Sequence, residues 1–243
     1  MGVGVQKVKI WAVVTVILSA WAPAAAQAQT GDWNVVVAPY LMGASMSGNT
    51  TVRGREVEVD VPASEVFSNL QFGAMGLMIA KKGHWGFGAD VIWMALGTTV
   101  RETNVDFNQG AFAFYGLREL GPAADLMFGL RVNTLQGELT FKTINLDVSQ
   151  DKTWVDPIVG IRLHTPGNRR LSFGVYGEIG GFGAGSDFAW QLFPRVGLGL
   201  TEKTSLEFGW RWLDMDYATG EGNEQFGYDV LTQGPVAGFA FRF

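Results

Sequence analysis

A single antiparallel β-barrel that crosses a membrane is the fold class this sequence predicts, and three observations predict it. An export leader opens the chain, the remainder resolves into about ten segments of period-2 hydrophobicity, and the connections between them alternate between short and long. Composition agrees. Hydrophobic residues make up 47% and charged residues 17%, below the roughly 25% charged of an ordinary globular domain. Yet no segment after the leader offers the roughly 20 apolar residues that a spanning helix needs.

The leader has Lys7 and Lys9, an apolar run from Ile10 to Ala20, and the small-residue site Ala26-Gln27-Ala28. The run is too short to anchor the chain and the site suits signal peptidase, so residues 1–28 are expected to be removed after Sec export. The barrel domain is then 29–243. Losing Lys7 and Lys9 leaves 18 − 2 = 16 basic against 23 acidic residues, a net charge of −7. An acidic chain of this kind is a poor partner for nucleic acid. There is no cysteine, which removes disulfides and thiolate chemistry.

The candidate strands lie at about 33–43, 72–81, 84–96, 107–119, 125–137, 153–164, 170–181, 187–200, 204–216 and 232–243. Short turns fall at Lys82-Gly83, Gly121-Pro122, Thr165 to Asn168 and Glu202-Lys203, and longer connections at about 44–71, 97–106, 138–152, 182–186 and 217–231. Short periplasmic turns, longer outer loops and an even strand number are the habit of bacterial outer-membrane barrels. The count is open by two in either direction, because a hairpin in the first connection can join the wall.

Parity assigns the faces. Trp85, Phe87, Ala89, Val91 and Trp93 point to lipid while Gly86, Gly88, Asp90 and Ile92 point inward; Val155, Pro157, Val159, Ile161 and Leu163 oppose Asp156 and Arg162; Leu206, Phe208, Trp210 and Trp212 oppose Glu207 and Arg211. Trp33 and Trp85 are expected in an inner girdle of aromatics, and Trp93, Trp154, Trp190 and Trp212 in an outer one. Glycines inside strands leave room for large lumen neighbours.

The inward ionisable residues are the main candidate site: Asp90, Arg131, Asp156, Arg162, Glu178, Arg195, Glu207, Arg211 and Arg242, with Asn133, Tyr176 and Gln191 beside them. Such a set either lines a hydrated path and sets ion preference or fills a narrow barrel as a paired network, since buried charges must be matched. In the first outer connection, at about 44–71, Val57, Val59 and Val61 alternate with Glu56, Glu58 and Asp60. This segment is expected to pair with Thr50 to Arg53 across Gly54 as a projecting hairpin, with a helical turn capped by Ser64 after it. A lid folded into the mouth is the alternative. The acidic last connection, with Asp216, Glu221, Glu224 and Asp229, is either solvated or a divalent-cation site near lipopolysaccharide phosphates.

Nothing in the pattern points to catalysis or a cofactor, and no catalytic, cofactor-binding or metal residue is assigned. The two histidines, His84 and His164, fall at periplasmic turns, and Asp214 and Asp216 at the outer end of the ninth strand have no histidine nearby in sequence.

The C-terminal run Phe239, Phe241 and Phe243, together with Trp33, Pro39-Tyr40-Leu41, Phe72-Gly73-Ala74-Met75-Gly76 and Gly83-His84-Trp85-Gly86, resembles a group of proteobacterial outer-membrane proteins and, more loosely, the small OmpA-like and OmpW-like barrels. The terminal Phe243 is similar to the signal of porin-like proteins that the barrel-assembly machinery reads. The resemblance covers the region after the leader and implies fold and location: a Gram-negative outer membrane, with lipid and lipopolysaccharide as surroundings. Unlike the OmpA pattern, no peptidoglycan-binding domain follows. The function expected at this level is a narrow or gated passage for small polar solutes or ions; the alternative is a non-conducting surface barrel whose outer loops bind a partner or stabilise the envelope, and an enzyme ranks third.

Overall fold

The computed structural model describes residues 33–100, 103–141, 146–166 and 170–243; the leader at 1–28 and part of the Thr165 to Asn168 turn lie outside them. The chain folds into β1 (Trp33–Met42), β2 (Ser45–Val52), β3 (Arg55–Val61), a short helix α1 (Ala63–Asn69), β4 (Leu70–Lys82), β5 (Trp85–Val100), β6 (Thr103–Gly121), β7 (Ala124–Phe141), β8 (Leu146–His164), β9 (Leu171–Gly180), β10 (Phe188–Gly199), β11 (Thr204–Thr219) and β12 (Phe226–Arg242). All ten predicted strands are present. β1 and β4 to β12 pair in sequence order, and β12 closes the ring on β1, with Val37 opposite Phe241 and Tyr40 opposite Gly238. Closure leaves this wall without a free edge.

Each strand alternates as its sequence does. Phe87, Phe114, Phe128, Leu130, Phe173 and Phe208 are exposed on the outside, while Asp90, Asp156 and Arg211 are buried within. A soluble barrel of this composition would invert that arrangement; an apolar exterior around a polar interior is stable only where lipid is the outer solvent. The crossing is made by these strands, whose outward faces carry the exposed apolar side chains; among the described residues no helix is long and apolar enough to cross a membrane. The molecule is an integral outer-membrane barrel.

Three sequence expectations are corrected. The outer connections at 97–106 and 138–152 are mostly ladder: β5 and β6 stay paired as far as Val100 opposite Thr103, and β7 and β8 as far as Phe141 opposite Leu146. Beyond the bilayer the outward face no longer has to be apolar, so the pattern that marks a strand fades while backbone pairing continues. The first-loop hairpin does not project freely. β2 pairs with β3, Val52 opposite Arg55, across the left-handed pair Arg53 and Gly54 at φ 52° and 73°. It also pairs with the outer half of β12, from Phe226 opposite Val52 to Gln233 opposite Ser45. β2 thus extends the wall above β1, giving twelve strands in one sheet around a ten-stranded ring. Finally, α1 is capped by Pro62 rather than Ser64: Glu65 and Val66 donate backbone N–H bonds to the Pro62 carbonyl at 2.9 and 3.2 Å.

Candidate functional site: the filled lumen and its mouth

The inward side chains stack in tiers along the barrel. In the periplasmic tier Asp125, fully buried, gathers three cationic or imidazole groups: Lys81 Nζ at 2.6 Å, Arg162 Nε at 2.9 Å and NH2 at 2.6 Å, and His164 Nε2 at 3.3 Å. Glu119 accepts a second bond from Lys81 at 3.2 Å. The antiparallel register creates this cluster, since β7 sets Asp125 directly opposite Arg162 of β8. Nearby, Ser205 donates to Glu207 at 2.6 Å.

The central tier belongs to Arg211. Its guanidinium is ion-paired with Asp90, its Nε donates to Gln191 Oε1 at 2.8 Å, and it lies against the adjacent rings of Tyr40 and Phe193, 5.8 and 5.4 Å from their centroids. Tyr40 donates its hydroxyl to Asp90 at 2.8 Å. Across the lumen Arg131 is ion-paired with Glu178, which also accepts from the Tyr176 hydroxyl. Asp90, Arg131, Glu178 and Arg211 are each at most 5% exposed. Such charges are tolerated because each has a fixed counter-charge. Tyr115 fills the space between these clusters, and Gly88 makes that possible: a Cβ there would stand 2.2 Å from the Tyr115 ring.

In the outer tier Asp156 accepts from Asn133 Nδ2 at 2.7 Å, from the Ser186 backbone N–H at 2.6 Å and from its hydroxyl at 3.0 Å. Trp154 donates its indole N–H to Ser186 at 2.8 Å and stacks on Tyr217 at 4.2 Å. The brief segment at 182–186 therefore turns inward at its end, where Ser186 is fully buried while Phe182 to Ala184 stay exposed. From Arg162 to Asp156 is six residues of β8, about 20 Å of strand or about 15 Å of barrel height at the usual tilt, so the polar filling spans rather more than half of the roughly 25 Å apolar band of such barrels.

The structure thus gathers eight of the nine predicted lumen residues into or beside these tiers; Arg195 lies against Gly174, where a Cβ would meet its Nε at 2.9 Å. Arg242 stands apart. It is eight residues along β12 from Gly234, the residue opposite Arg211, or about 26 Å of strand. Trp154 is corrected from girdle to lumen: it shares parity with Asp156 and is 5% exposed. Trp85 faces outward, stacked under Arg118 at 4.7 Å, and Trp93, Trp190 and Trp212 lie on the outward parity. Phe239, Phe241 and Phe243 are exposed on the outside of the last strand. Asp125, Lys81, Tyr40 and Ser186 were not singled out by the sequence. For Asp125 the signal was present, because it has the parity of Arg131 and Asn133.

Above the outer tier the lumen turns apolar. A cavity of about 430 Å³ lies in the mouth, lined by Val59 and Val61 of β3, Val66 of α1, Leu96, Phe107 and Leu135 among others. Val66 is 3% exposed, so the first outer loop closes over part of the mouth. The polar residues in its lining are Thr50, Glu65, Asn69, Lys152 and Tyr228, and the Tyr228 hydroxyl accepts from Gln109 at 3.1 Å. Among the described residues no group of three or more His, Asp or Glu side chains has metal-binding geometry. His84 and His164 both lie at the periplasmic end of the barrel, His84 largely exposed and 3.6 Å from Glu119.

No protein-family model and no curated protein matches this chain. Solved structures do resemble it in fold. The outer-membrane protease OmpT of Escherichia coli aligns over 88% of this chain and 98% of its own at 10% identity, with a TM-score of 0.47. Ail, the attachment invasion locus protein of Yersinia pestis, solved with the heparin analogue sucrose octasulfate, aligns over 88% of this chain and 100% of its own at 9% identity and a TM-score of 0.43. Neisserial surface protein A aligns over 86% and 97% at 11% identity and 0.35.

Proposed function

We propose that this chain is a sealed, non-enzymatic outer-membrane barrel whose work is done at its outer mouth and loops. The observation that carries this reading is the central tier, where Asp90, Arg131, Glu178 and Arg211 are buried to 5% exposure or less and tied to one another, to Gln191 and to tyrosine hydroxyls. A conducting path needs polar groups that face water and exchange partners with a passing ion. Here the same groups are committed to each other, and Tyr40, Tyr115 and Tyr176 fill the gaps between them. The barrel rests in outer-leaflet lipid and lipopolysaccharide, and Phe239, Phe241 and Phe243 serve as the signal for the barrel-assembly machinery. With both histidines at the periplasmic end, the outer rim lacks a histidine base among its described residues.

The second reading, a gated passage, is favoured by one feature: β3 and α1 sit over the mouth as a movable cover would. Liposome swelling in sugars and amino acids of graded size separates the two. The sealed barrel gives the swelling rate of protein-free vesicles for every solute, whereas a passage gives flux that falls with solute size and changes when Arg131 or Arg195 is neutralised.

A further inference from the structure

The cavity in the mouth has a chemistry of its own. Its walls are mainly valine, leucine, methionine and phenylalanine side chains, with Thr50, Glu65, Asn69, Lys152 and Tyr228 among them, from β2, β3, α1, β5, β6, β7, β8 and β12, and its volume of about 430 Å³ is nearly three times the roughly 150 Å³ cavity that holds one benzene molecule. It also falls within the roughly 300–1,000 Å³ of small-molecule sites. Water gains little in such a space, because it finds few polar partners there. The cation in the lining is Lys152, whose ammonium lies 5.4 Å from the centre of the Phe226 ring. An apolar body with a cation at its edge selects for a particular shape of ligand. Furthermore, Gly137 opens onto empty space: a Cβ built there meets no atom within 4 Å. In a β-strand a glycine weakens the ladder unless the space above it is used, and here it enlarges the cavity.

We infer that the mouth binds a single-chain amphiphile, with its alkyl chain in the cavity and its anionic end at Lys152. The chain can come from a free long-chain carboxylate or from a lipid of the outer leaflet; both present the same alkyl group. Binding holds whether or not the lumen below conducts, since the tier of Trp154, Asn133, Asp156 and Ser186 forms a separate floor. Trp154 reports occupancy, because it lies in that floor with its ring 6.2 Å from that of Tyr228, which lines the cavity.

The test uses the full barrel reconstituted in phospholipid vesicles, free of detergent that would compete. Bromine quenches indole at short range, and the signal of Trp154 is isolated as the difference between the wild type and Trp154→Phe. In one arm 12-bromododecanoate is titrated into vesicles of unbrominated lipid; in the other the vesicle phospholipid itself has brominated chains. Saturable quenching of Trp154 in the first arm assigns the site to a free carboxylate, and quenching in the second arm alone assigns it to a lipid chain. Gly137→Phe puts one benzene-sized group into the cavity, about a third of its volume, and weakens the quenching at least tenfold in ligand concentration. Lys152→Gln weakens 12-bromododecanoate about fivefold, the value of one partly exposed ion pair of about 1 kcal/mol, and leaves 12-bromododecanol unchanged. No Trp154 quenching in either arm overturns the inference, as does quenching of unchanged affinity in a folded Gly137→Phe barrel. Should Gly137→Phe fail to fold, equal weakening of acid and alcohol by Lys152→Gln refutes the assigned orientation.

Discussion

Replacing Arg211 by methionine tests whether the central tier is a dry, paired network. In the wild type Arg211 is 2% exposed and neutralises Asp90, which is 5% exposed. Arg211→Met keeps most of the side-chain volume and strands the Asp90 carboxylate with the Tyr40 hydroxyl, at 2.8 Å, as its remaining donor. Breaking one partner of a buried pair costs about 3–5 kcal/mol, and the surviving Tyr40 bond puts this case near 3. The complementary Asp90→Asn leaves the guanidinium with Gln191, the Tyr40 hydroxyl and the two aromatic faces, so its cost is about 2 kcal/mol. In the double variant neither charge is left alone. Its cost should fall below the sum of the singles by about 2 kcal/mol, the coupling expected of residues in direct contact. The assay is reversible urea unfolding in lipid vesicles followed by tryptophan fluorescence, with β-structure checked by circular dichroism. Single variants that each lose less than about 1 kcal/mol and add without coupling would mean that both side chains are hydrated, and the network argument would fail.

The same reasoning gives further outcomes. Gly88→Val drives a side chain into the Tyr115 ring and should destabilise the barrel by about 2–3 kcal/mol in the same unfolding assay, whereas Gly137→Ala, which meets open space, should change it by less than about 0.5 kcal/mol. Trp154→Phe removes the indole bond to Ser186 and should cost about 1 kcal/mol; hydrogen exchange should show the segment at 182–186 opening more often. Gly54→Val places a β-branched residue at φ 73° and should loosen the β2–β3 hairpin by about 1–2 kcal/mol, read as faster proteolysis between Val52 and Arg55 with the barrel itself intact.

How much of this was legible in the sequence depends on how far each feature rests on period 2. Trp85 to Trp93 and Val155 to Leu163 state their faces outright, because lipid on one side and a polar lumen on the other force strict alternation. The lumen residues follow from the same parity, and their burial was the outcome. Which charges meet was not legible: the Arg211–Asp90 and Arg131–Glu178 pairs depend on strand stagger around the closed ring, which no local pattern encodes. A tryptophan near a strand end suggests an interfacial girdle, yet Trp154 shares the parity of Asp156, and parity decides its face. Asp125 was passed over at a strand end, where a charge is usually solvated. The inward fold of Ser186 depends on left-handed turns at Gly181, Phe182 and Gly183, and a Phe at φ 52° carries no sequence signature. The cavity assembles from eight elements, none of which marks it by itself.

The central claim is that paired side chains close the barrel at mid-height, and single-channel recording in planar bilayers tests it most directly. Refolded wild-type protein should insert with no sustained current in molar salt, while a variant with Asp90, Arg131, Glu178 and Arg211 all changed to alanine should give steady conductance. A steady, ohmic current from the wild type would contradict the claim and restore the passage as the function of the lumen.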